Sequence, residues 1–572
     1  MIYHRILVVG GGLAGMRAAI EAGEALATAG QSADVALISR VHPLRSHSGA
    51  AQGGVNASLG NAEGSKDDNW EKHAFDTVKG SDYLGDQDSI EVMAKEAGPR
   101  VIEMEHWGCP FSRTTEGKIA QRPFGGAGYP RTCYSADKTG HVMLHTLFEQ
   151  MTKRRIRQYQ EWMALALVPS EGLCAGLVAM ETLTGRLEAF RADAVIFATG
   201  GVGRLYQKTT NAYINTGHGM ALAYWAGVPL KDMEFIQFHP TTLYGTNILI
   251  SEAARGEGGY LYNAKGERFM KDYASGLMEL APRDIVARSE QIEIDQGRGF
   301  ENAYVHLDLR HLGREKIEER LPGIRDLAID YAGVDPVEKP IPVQPGQHYT
   351  MGGIACNTWG ESDLPGFFTA GECACVSVHG ANRLGGNSLL ETIVFGKLAG
   401  ERAVQFVLGK ENGRTGEREL EAALSETEAK VKRLLAGEGT EDIPAIRKEM
   451  EVTMTEQVGI FRERGPAEEA TAKIRAMKDR YRRGRLRYTG HTFNQDLMRA
   501  LELEGMLDVA EIVAAGAAAR EESRGSHYRL DFRARDDEKW LKHTMARYTP
   551  DGPRFEYAPV TITNYPPEER KY

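Results

Sequence analysis

The N-terminal forty residues constrain the fold most, because they place an apolar run, a glycine-rich turn and a helix-forming stretch in a fixed order. Residues 6–9 are apolar, residues 10–15 are Gly-Gly-Gly-Leu-Ala-Gly, residues 16–29 are rich in Ala, Glu and Leu, and residues 34–40 contain a second apolar run. This order predicts a βαβ unit in which a Gly-x-Gly-x-x-Gly turn opens a helix. The unit indicates a dinucleotide-binding domain; a close-packed turn without a ligand is the alternative.

Each glycine of the motif has its own task. Gly10 makes the tight turn, Gly12 lets the backbone approach a pyrophosphate, and Gly15 lets the helix pack against the strand. A carboxylate commonly ends the second strand of nicotinamide-binding units, but Ser39 and Arg40 stand there in this chain. This difference weakens a nicotinamide interpretation and fits a flavin as well or better.

Two further apolar runs, at residues 192–201 and 366–372, end in glycine. Three such strand ends in one chain predict a single flavin that several strands contact at their carboxyl ends. The pattern resembles FAD proteins of the glutathione-reductase type, in which a final acid contacts the ribityl chain. The residues expected at the cofactor from these two runs are Ala198, Thr199, Gly200 and Glu372.

Composition agrees with a nucleotide-binding globular protein. Glycine accounts for 64 of 572 residues, about 11% against a usual 7% or so. The formal net charge is −10, which argues against nucleic-acid binding because that requires a basic surface. No apolar run is long enough for a membrane-spanning helix. No signal-peptide pattern precedes the first predicted strand, so we expect a cytoplasmic location.

The six cysteines are too few to form a disulfide scaffold in a chain of this length. Cys373 and Cys375 are separated by one residue, and no second pair completes a zinc site. We therefore expect buried thiols and no bound metal ion.

Residues 42–54 (HPLRSHSGAAQGG) follow the second strand directly. They resemble the flavin-attachment segment of the succinate dehydrogenase and fumarate reductase flavoproteins, and the resemblance continues nearly to the C-terminus. It implies that His47 binds the isoalloxazine covalently; a buried histidine bonded to backbone is the structural alternative. Other matching segments are 70–73, 80–83, 122–126, 137–141, 210–212, 237–241, 255–259, 348–353, 379–390 and 522–527.

The resemblance also supplies cofactor contacts that the glycine motifs do not. We expect FAD to be bound by residues of the attachment segment and of two later segments. These are Ser46, His47, Ser48, Gly53, Gly54, Asp232, Ser388 and Leu389.

A dicarboxylate substrate requires cationic or hydrogen-bonding groups at both ends, and the arginine fork suits a carboxylate. The resemblance implies that Arg383 and His348 hold one carboxylate, while His239 and Ser251 hold the other. The family usually has Thr at the position of Ser251, so this chain keeps the hydroxyl and loses the methyl group.

Proton transfer at the substrate carbon is assigned by the resemblance to Arg283. A guanidinium is effectively always protonated, so Arg283 suits a proton donor that a relay refills. The relay residues are Glu252 and Arg255. The structural alternative is a surface ion cluster of little energetic value.

The direction of the reaction stays open in the sequence. Gln52 stands where dehydrogenases tend to have Gln and fumarate reductases Glu, which favours succinate oxidation. Residues 107–110 (WGCP) and 541–544 (LKHT) look more like the fumarate reductase branch. His218 replaces the usual Asp near the flavin, which can shift the flavin potential or its pH dependence.

We predict an α/β fold with four parts. A Rossmann-like FAD-binding domain comprises residues 1–237 and 352–411, and an α+β capping domain is inserted at 238–351. A helical domain at 412–524 and a small C-terminal domain at 525–572 follow. The charged, amphipathic segments after residue 412 favour helices.

The chain has no iron–sulfur cysteine run. The family implies an iron–sulfur partner subunit and membrane anchor subunits, with or without haem, that carry electrons to or from quinone. This chain would then sit peripherally on the cytoplasmic face of the cell membrane, bound through its partners.

Three functions are therefore weighed. The first is the flavoprotein subunit of a succinate:quinone oxidoreductase, acting in the cell as a succinate dehydrogenase or a fumarate reductase. The second is a relative with non-covalent FAD, such as an L-aspartate oxidase, against which His47 speaks. The third is a non-catalytic flavin-binding or assembly subunit.

Overall fold

The N-terminal βαβ unit forms as the sequence predicts, and it lies at the centre of the largest sheet. The computed structural model describes residues 1–409 and 416–570. Its β-strands are β1 (Ile2–Val9), β2 (Val35–Ser39), β3 (Val55–Asn56), β4 (Gln121–Arg122), β5 (Thr132–Cys133), β6 (Arg157–Gln160), β7 (Trp162–Ser170), β8 (Leu173–Glu181), β9 (Leu187–Phe197), β10 (Leu230–Lys231), β11 (Ile236–Leu243), β12 (Tyr260–Tyr262), β13 (Val305–Asp308), β14 (Ile341–Thr350), β15 (Gly353–Ala355), β16 (Phe367–Thr369), β17 (Ala374–Cys375), β18 (Glu441–Asp442), β19 (Phe461–Arg462), β20 (Gly484–Arg485), β21 (Tyr528–Arg529), β22 (Lys542–Arg547) and β23 (Arg554–Pro559).

Helices cover both faces of the central sheet and form most of the segment after residue 416. The α-helices are α1 (Leu13–Thr28), α2 (Trp70–Gly80), α3 (Gln87–His106), α4 (Thr139–Lys153), α5 (His218–Trp225), α6 (Ala253–Gly256), α7 (Met270–Tyr273), α8 (Arg283–Asp295), α9 (Arg314–Arg320), α10 (Pro322–Ala332), α11 (Asn387–Leu408), α12 (Glu417–Ala436), α13 (Ile443–Gln457), α14 (Arg464–Tyr481), α15 (Gln495–Ala519) and α16 (Asp537–Trp540).

The central sheet has the strand order β6-β2-β1-β9-β8-β7, and β16 pairs with β9. Strands β6, β2, β1, β9 and β16 run parallel, whereas β8 and β7 are antiparallel. Ile6 and Val8 pack into one hydrophobic cluster, and Leu7 and Val9 pack into another. Because both faces of β1 are buried, its sequence is a continuous apolar run rather than an alternating one.

Gly10 and Gly15 allow the turn after β1 to pack against its neighbours. A Cβ atom on Gly10 would lie 2.0 Å from the carbonyl oxygen of Ala198, and φ at Gly10 is +123°. A Cβ atom on Gly15 would lie 1.9 Å from the carbonyl oxygen of Gly10. A side chain at either position would force the helix away from the strand, so both glycines are required by geometry.

A second layer is built from the residues between β11 and β14. These strands belong to an antiparallel sheet of order β11-β14-β13-β12 that has its own hydrophobic cluster with the surrounding helices. Ile236 pairs with Thr350, so the chain enters and leaves this layer at adjacent positions. This layer is called the capping layer below. The domain boundaries stay predictions, and the one at residues 411 and 412 lies outside the described residues.

The C-terminal strands extend a sheet that begins much earlier in the chain. Its order is β17-β15-β10-β22-β23, and Leu230 of β10 pairs with Ala546 of β22. The helical segment packs around α15, which is buried along most of its length. Across the helices of the described residues, none is long and apolar enough to cross a membrane.

Arg520 joins three distant parts of the chain at one buried point. It is fully buried, and its guanidinium donates to Glu234 at 2.7 Å and to Glu522 at 2.9 Å. The remaining N–H groups donate to the carbonyl oxygens of Trp540 and Lys542 and to the Thr544 hydroxyl. All five donors are used, which is the condition under which a buried arginine is tolerated.

We predict that Arg520→Ala lowers the free energy of unfolding by about 3–5 kcal/mol, because it leaves Glu234 buried without its ion-pair partner and removes one of the two arginines that bind Glu522. The midpoint of thermal unfolding measures the effect. Arg482→Ala is the matched control: Arg482 pairs with Asp479 while 74% exposed, and its loss should change stability by less than about 1 kcal/mol. Equal midpoints for the two variants would contradict the assignment.

Candidate functional site

A cavity of about 400 Å³ opens where the parallel strands of the central sheet end, and the capping layer covers it. Strands β1, β2, β9 and β16 all point their carboxyl ends toward it, the usual ligand position in open α/β sheets. The cavity brings together most of the residues predicted from the sequence. These are Gly10, Gly12, Ser39, Arg40, Ser46, His47, Ser48, Gly53, Gly54, Ala198, Thr199, Gly200, Glu372, Ser388 and Leu389 for the cofactor, and His239, Ser251, Glu252, Arg283, His348 and Arg383 for the substrate.

Asp232 is not among the residues that line the cavity, and its role as a cofactor contact stays a prediction. Its carboxylate lies 2.6 Å from Nδ1 of His543 and accepts the backbone N–H of Thr544 at 2.9 Å. Burial works against an imidazolium at His543, but Asp232 and Asp86 outweigh it and raise the pKa of His543 to about 9. The Asp232 carboxylate thus forms an ion pair with His543 on strand β22.

The turn at the start of α1 has the features that a pyrophosphate requires. The N-cap of α1 is Gly12, which has no side chain to cap the helix. The N-terminus of the helix lies at the cavity. The hydroxyls of Ser46 and Thr199 are buried at this wall and have no hydrogen-bond partner among the described residues. Unpartnered buried hydroxyls are rare in proteins, so these groups fit the donors and acceptors of a bound FAD.

At the β2 end of the cavity, Arg40 forms an ion pair with Glu502 of α15. The Thr216 hydroxyl donates to the same carboxylate at 3.1 Å. The sequence shows that the usual carboxylate is absent from the end of β2, but it did not reveal that the helical segment places Glu502 there. The available signal was an acidic residue within the otherwise apolar stretch of α15.

His218 lies close to this wall as a neutral imidazole. Burial, with Lys430 and Arg40 nearby, lowers the pKa of His218 to about 3. Its Nε2 lies 3.1 Å from the carbonyl oxygen of Ala164 and therefore carries the proton. A neutral group consequently replaces the anion usual in the family.

His47 lies in a 3₁₀ turn, His47–Ala50, on the floor of the cavity. Burial and the nearby Arg204 lower the pKa of His47 to about 4, so the ring is neutral at neutral pH. Its Nδ1 accepts the backbone N–H of Ala212 at 3.3 Å. Because Nδ1 accepts this bond, the proton of the neutral ring lies on Nε2, which must release it before it can act as a nucleophile.

Glu372 lines the cavity opposite His47. Burial raises the pKa of Glu372 to about 7, although its carboxylate accepts the backbone N–H of Thr350 at 3.0 Å. A carboxyl group near half-protonation can both accept and donate a hydrogen bond to a ligand hydroxyl.

Four cationic or imidazole groups converge at the capping end of the cavity. The rings of His239 and His348 lie 4.9 Å apart in an edge-to-face arrangement. Arg383 donates to the Ser388 hydroxyl at 3.0 Å, and its Nε has no partner within the described chain. Burial and then Arg283 lower the pKa of Arg383 to about 9. Burial and the arginines also hold the pKa values of both histidines well below 6.5.

Arg283 and Glu252 form a tight buried pair. Nε and Nη2 of Arg283 both lie 2.7 Å from Oε2 of Glu252, and Oε1 accepts the backbone N–H of Gly125 at 2.6 Å. Nη2 of Arg255 lies 3.9 Å from the same Oε2. Burial would raise the pKa of Glu252, but the two arginines outweigh it and hold that pKa below its ordinary value. All three side chains are buried, so this is not a surface ion cluster.

Two predicted residues stand behind the lining. Gly15 contacts the strand rather than the cavity, as its packing role requires. Arg255 lies behind Glu252, and its Nη1 donates to the carbonyl oxygen of Glu279. Arg255 can therefore act on a ligand only through Glu252.

Gln52 ties the attachment segment to the capping layer. Its side-chain amide donates to the carbonyl oxygen of Leu249 at 2.9 Å, and its amide oxygen accepts the backbone N–H of Ser251 at 3.1 Å. This pair of bonds fixes the backbone of Ser251, whose hydroxyl accepts the N–H of Ala253. Only an amide can make both bonds, since a carboxylate has no donor.

Comparison with known proteins identifies the family. A model of the FAD binding domain matches residues 5–389, and a model of the fumarate reductase flavoprotein C-terminus matches residues 447–572. The chain is 46% identical to the fumarate reductase flavoprotein subunit of Mycobacterium tuberculosis, covering 100% of this chain and 99% of that one. It is 43% identical to the succinate dehydrogenase flavoprotein subunit of Rickettsia bellii over 100% and 99% of the two chains.

A solved structure of an Escherichia coli quinol fumarate reductase variant is similar throughout. The TM-score is 0.95 at 43% identity, with 100% of this chain and 98% of that chain covered. The chain belongs to the succinate dehydrogenase and fumarate reductase flavoprotein family. This flavoprotein is an oxidoreductase with an FAD-binding domain, and the predicted α/β fold class is confirmed.

We predict that Gln52→Glu weakens the link between the attachment segment and the capping layer of this flavoprotein. The carboxylate still accepts the Ser251 N–H but faces the Leu249 carbonyl without a donor, at a cost of about 1–3 kcal/mol. Limited proteolysis should cut the 244–251 segment faster, and the thermal midpoint should fall. Gln207→Glu, which adds the same charge at an exposed position, is the control; identical digestion of both variants would refute the role of Gln52.

Proposed function

We propose that this flavoprotein catalyses the interconversion of succinate and fumarate, with FAD in the cavity and Arg283 as the proton-transferring residue. The observation that carries the proposal is the buried Arg283–Glu252 pair, which faces the same cavity as His239, His348 and Arg383. The named relatives, which are succinate dehydrogenase and fumarate reductase subunits, support it.

The substrate contacts follow from charge and geometry. Arg383 presents a free Nε, so its fork can bind a carboxylate in two places, with His348 beside it. His239 and the Ser251 hydroxyl hold the second carboxylate at the other side of the histidine pair. Fixing both ends of a dicarboxylate places its two central carbons over the cavity floor and limits their rotation.

FAD held by the cavity walls would supply hydride transfer to or from one central carbon. Arg283 then gives a proton to the neighbouring carbon in fumarate reduction, or accepts one in succinate oxidation. Glu252 exchanges this proton with Nε or Nη2 of Arg283 and stays ionised between two arginines at other times. Arg255 links Glu252 to the interior of the capping layer.

His47 is proposed to attach FAD covalently. Its neutral ring at the cavity floor supports a nucleophilic role, which Nε2 takes once it has released its proton. We predict that His47→Ser abolishes covalent flavin while FAD still binds non-covalently. The measurement is flavin fluorescence in a denaturing gel of the assembled enzyme, with FAD released by acid as the second readout. Ser46→Ala is the control and should keep its fluorescent band; a band in His47→Ser would place the attachment elsewhere.

Arg283 is tested by substitution with Lys, which keeps the charge but not the fork. We predict a loss of kcat of at least about 10²-fold in both directions with a small change in KM, because proton transfer and not binding is affected. Dye-coupled assays with succinate and with fumarate measure this. A variant that keeps the wild-type kcat would show that Arg283 is not the proton-transferring residue, whereas a parent protein without turnover in either assay would support a non-catalytic flavin-binding subunit.

Dicarboxylate binding should tighten as the pH falls. His239 and His348 are neutral without ligand because their pKa values lie well below 6.5. A bound dianion raises these pKa values, so binding takes up a proton, and affinity rises by up to about tenfold per pH unit and per linked proton. Titrating malonate between pH 6 and pH 8 measures the slope. His348→Asn should flatten it, and a slope of opposite sign would exclude the linkage.

We also propose that electrons leave or enter through a separate iron–sulfur subunit and membrane anchor subunits, with or without haem, which react with quinone. The Escherichia coli relative, a quinol fumarate reductase, supports this arrangement. The chain would then lie at the cytoplasmic face of the membrane, bound through its partners. Co-purification from solubilised membranes tests the association. Gln52 favours succinate oxidation, whereas the 541–544 segment resembles the fumarate reductase branch. The rates of succinate oxidation and of fumarate reduction should therefore both be measured on the purified complex.

A further inference from the structure

Glu290 is a buried acid on the same face of α8 as Arg283, seven residues further along the helix. It is fully buried, and neither of its carboxyl oxygens has a hydrogen-bond partner among the described residues. Burial of a carboxyl group without a hydrogen-bond partner costs free energy of folding. An unpartnered buried acid in a native protein therefore points to a function. No motif in the sequence pointed to it.

Arg255 is the charged neighbour of this acid. Its Nη1 is bound by the carbonyl oxygen of Glu279, whereas its Nε and Nη2 make no hydrogen bond within the described residues. Arg255 and Glu290 do not approach within ion-pair distance. Arg255 nevertheless lowers the pKa of Glu290, and Glu290 raises the pKa of Arg255, so each favours the charged form of the other. A proton can pass between two groups that make no direct hydrogen bond only through an intervening water molecule, and the proposal below includes one.

The other acids around Arg255 are already used. Glu279 binds Arg268 and the backbone N–H of Leu261. Glu293 on the same helix binds Arg298, Tyr273 and Asn263. Glu290 alone of these three carboxyl groups is unpaired in the described structure.

The charge state of Glu290 follows from these surroundings. Burial raises its pKa well above the ordinary value, and Arg255 opposes this only in part. Besides Glu290, the charged or titratable groups on α8 and on the elements packed against it are Arg283, Asp284, Arg288, Glu293, Asp295, His239, His348, Tyr349, Lys271, Asp272 and Tyr273. Burial is therefore the dominant influence on Glu290 and Arg255 the opposing one, so the buried acid holds its proton more tightly than an exposed glutamic acid does.

We propose that Glu290 is a positioning residue that stores the proton exchanged by the Arg255–Glu252–Arg283 relay. The inference rests on the proposed function of this relay. In fumarate reduction, Arg283 gives its proton to the substrate carbon, Glu252 passes a proton to Arg283, and Arg255 passes one to Glu252. The Glu290 acid then reprotonates Arg255 through the bridging water and becomes a carboxylate, which Arg255 stabilises until solvent returns the proton. Succinate oxidation runs the same sequence in reverse.

The variant Glu290→Gln tests whether Glu290 stores the relay proton, because Gln has the shape of a protonated Glu but cannot release a proton. In the complete enzyme we expect kcat to fall about tenfold, KM to stay within about twofold, and the pH dependence of kcat to shift. The solvent deuterium isotope effect on kcat should increase, since proton delivery becomes limiting. Glu290→Asp should restore part of the rate. Ser289→Ala, on the same turn, should leave kcat and its pH profile unchanged.

Two readouts do not depend on turnover. Infrared difference spectra should show the carbonyl stretch of a protonated carboxylic acid that is lost in Glu290→Gln. The thermal midpoint of Glu290→Gln should exceed that of the parent protein increasingly as the pH rises above about 5. This sign follows because the buried acid holds a proton that the unfolded chain releases, so only the parent loses stability with rising pH.

The outcomes separate the two proposals. A parent enzyme without succinate or fumarate activity refutes the proposed function, whatever Glu290→Gln does. An active parent whose Glu290→Gln variant keeps the same kcat, pH profile and isotope effect refutes the proton store. Loss of the acid carbonyl band with unchanged kinetics shows a neutral buried acid of structural role only, and this result also overturns the proposal.

Discussion

The ion pair between Glu252 and Arg283 is the interaction on which the site depends. Glu252 receives both Arg283 nitrogens on one oxygen and the Gly125 N–H on the other. It therefore neutralises the capping-layer arginine and fastens the capping layer to the FAD-binding part of the chain in one step. Because the carboxylate is 1% exposed, loss of either partner would leave a buried charge, which typically costs about 3–5 kcal/mol.

The central sheet and most of the cavity lining could be predicted because their signals are local. A continuous apolar strand, three glycines at fixed spacing and a helix define the turn at Gly10 without knowledge of the rest of the fold. The resemblance then located His47, Arg283 and Arg383, whose neighbours in sequence are distinctive. These residues line the cavity where the argument placed them.

Residues that act through distant partners could not be found in this way. The resemblance predicted Asp232 as a cofactor contact, but its carboxylate lies against His543, 311 residues away, and only the fold shows this pairing. Glu502 and Glu290 lie in helices whose pattern shows burial but not what each buried acid meets. The two hydrogen bonds of Gln52 likewise reach residues 197 and 199 positions away, so only the fold reveals them.

Local charge explains how an acidic protein binds a dianion. The chain carries a formal charge of −10, so its overall field repels a dicarboxylate. At the capping end of the cavity, however, Arg283, Arg383 and, behind the lining, Arg255 lie near Glu252, and burial strengthens each interaction by lowering the effective dielectric constant. Burial first, and then the excess of positive charge, lower the pKa values of His239, His348 and Arg383. A dianion relieves this repulsion, so the substrate supplies the charge that the site lacks, and selectivity for two carboxylates follows from the count of arginines rather than from the shape of the cavity alone.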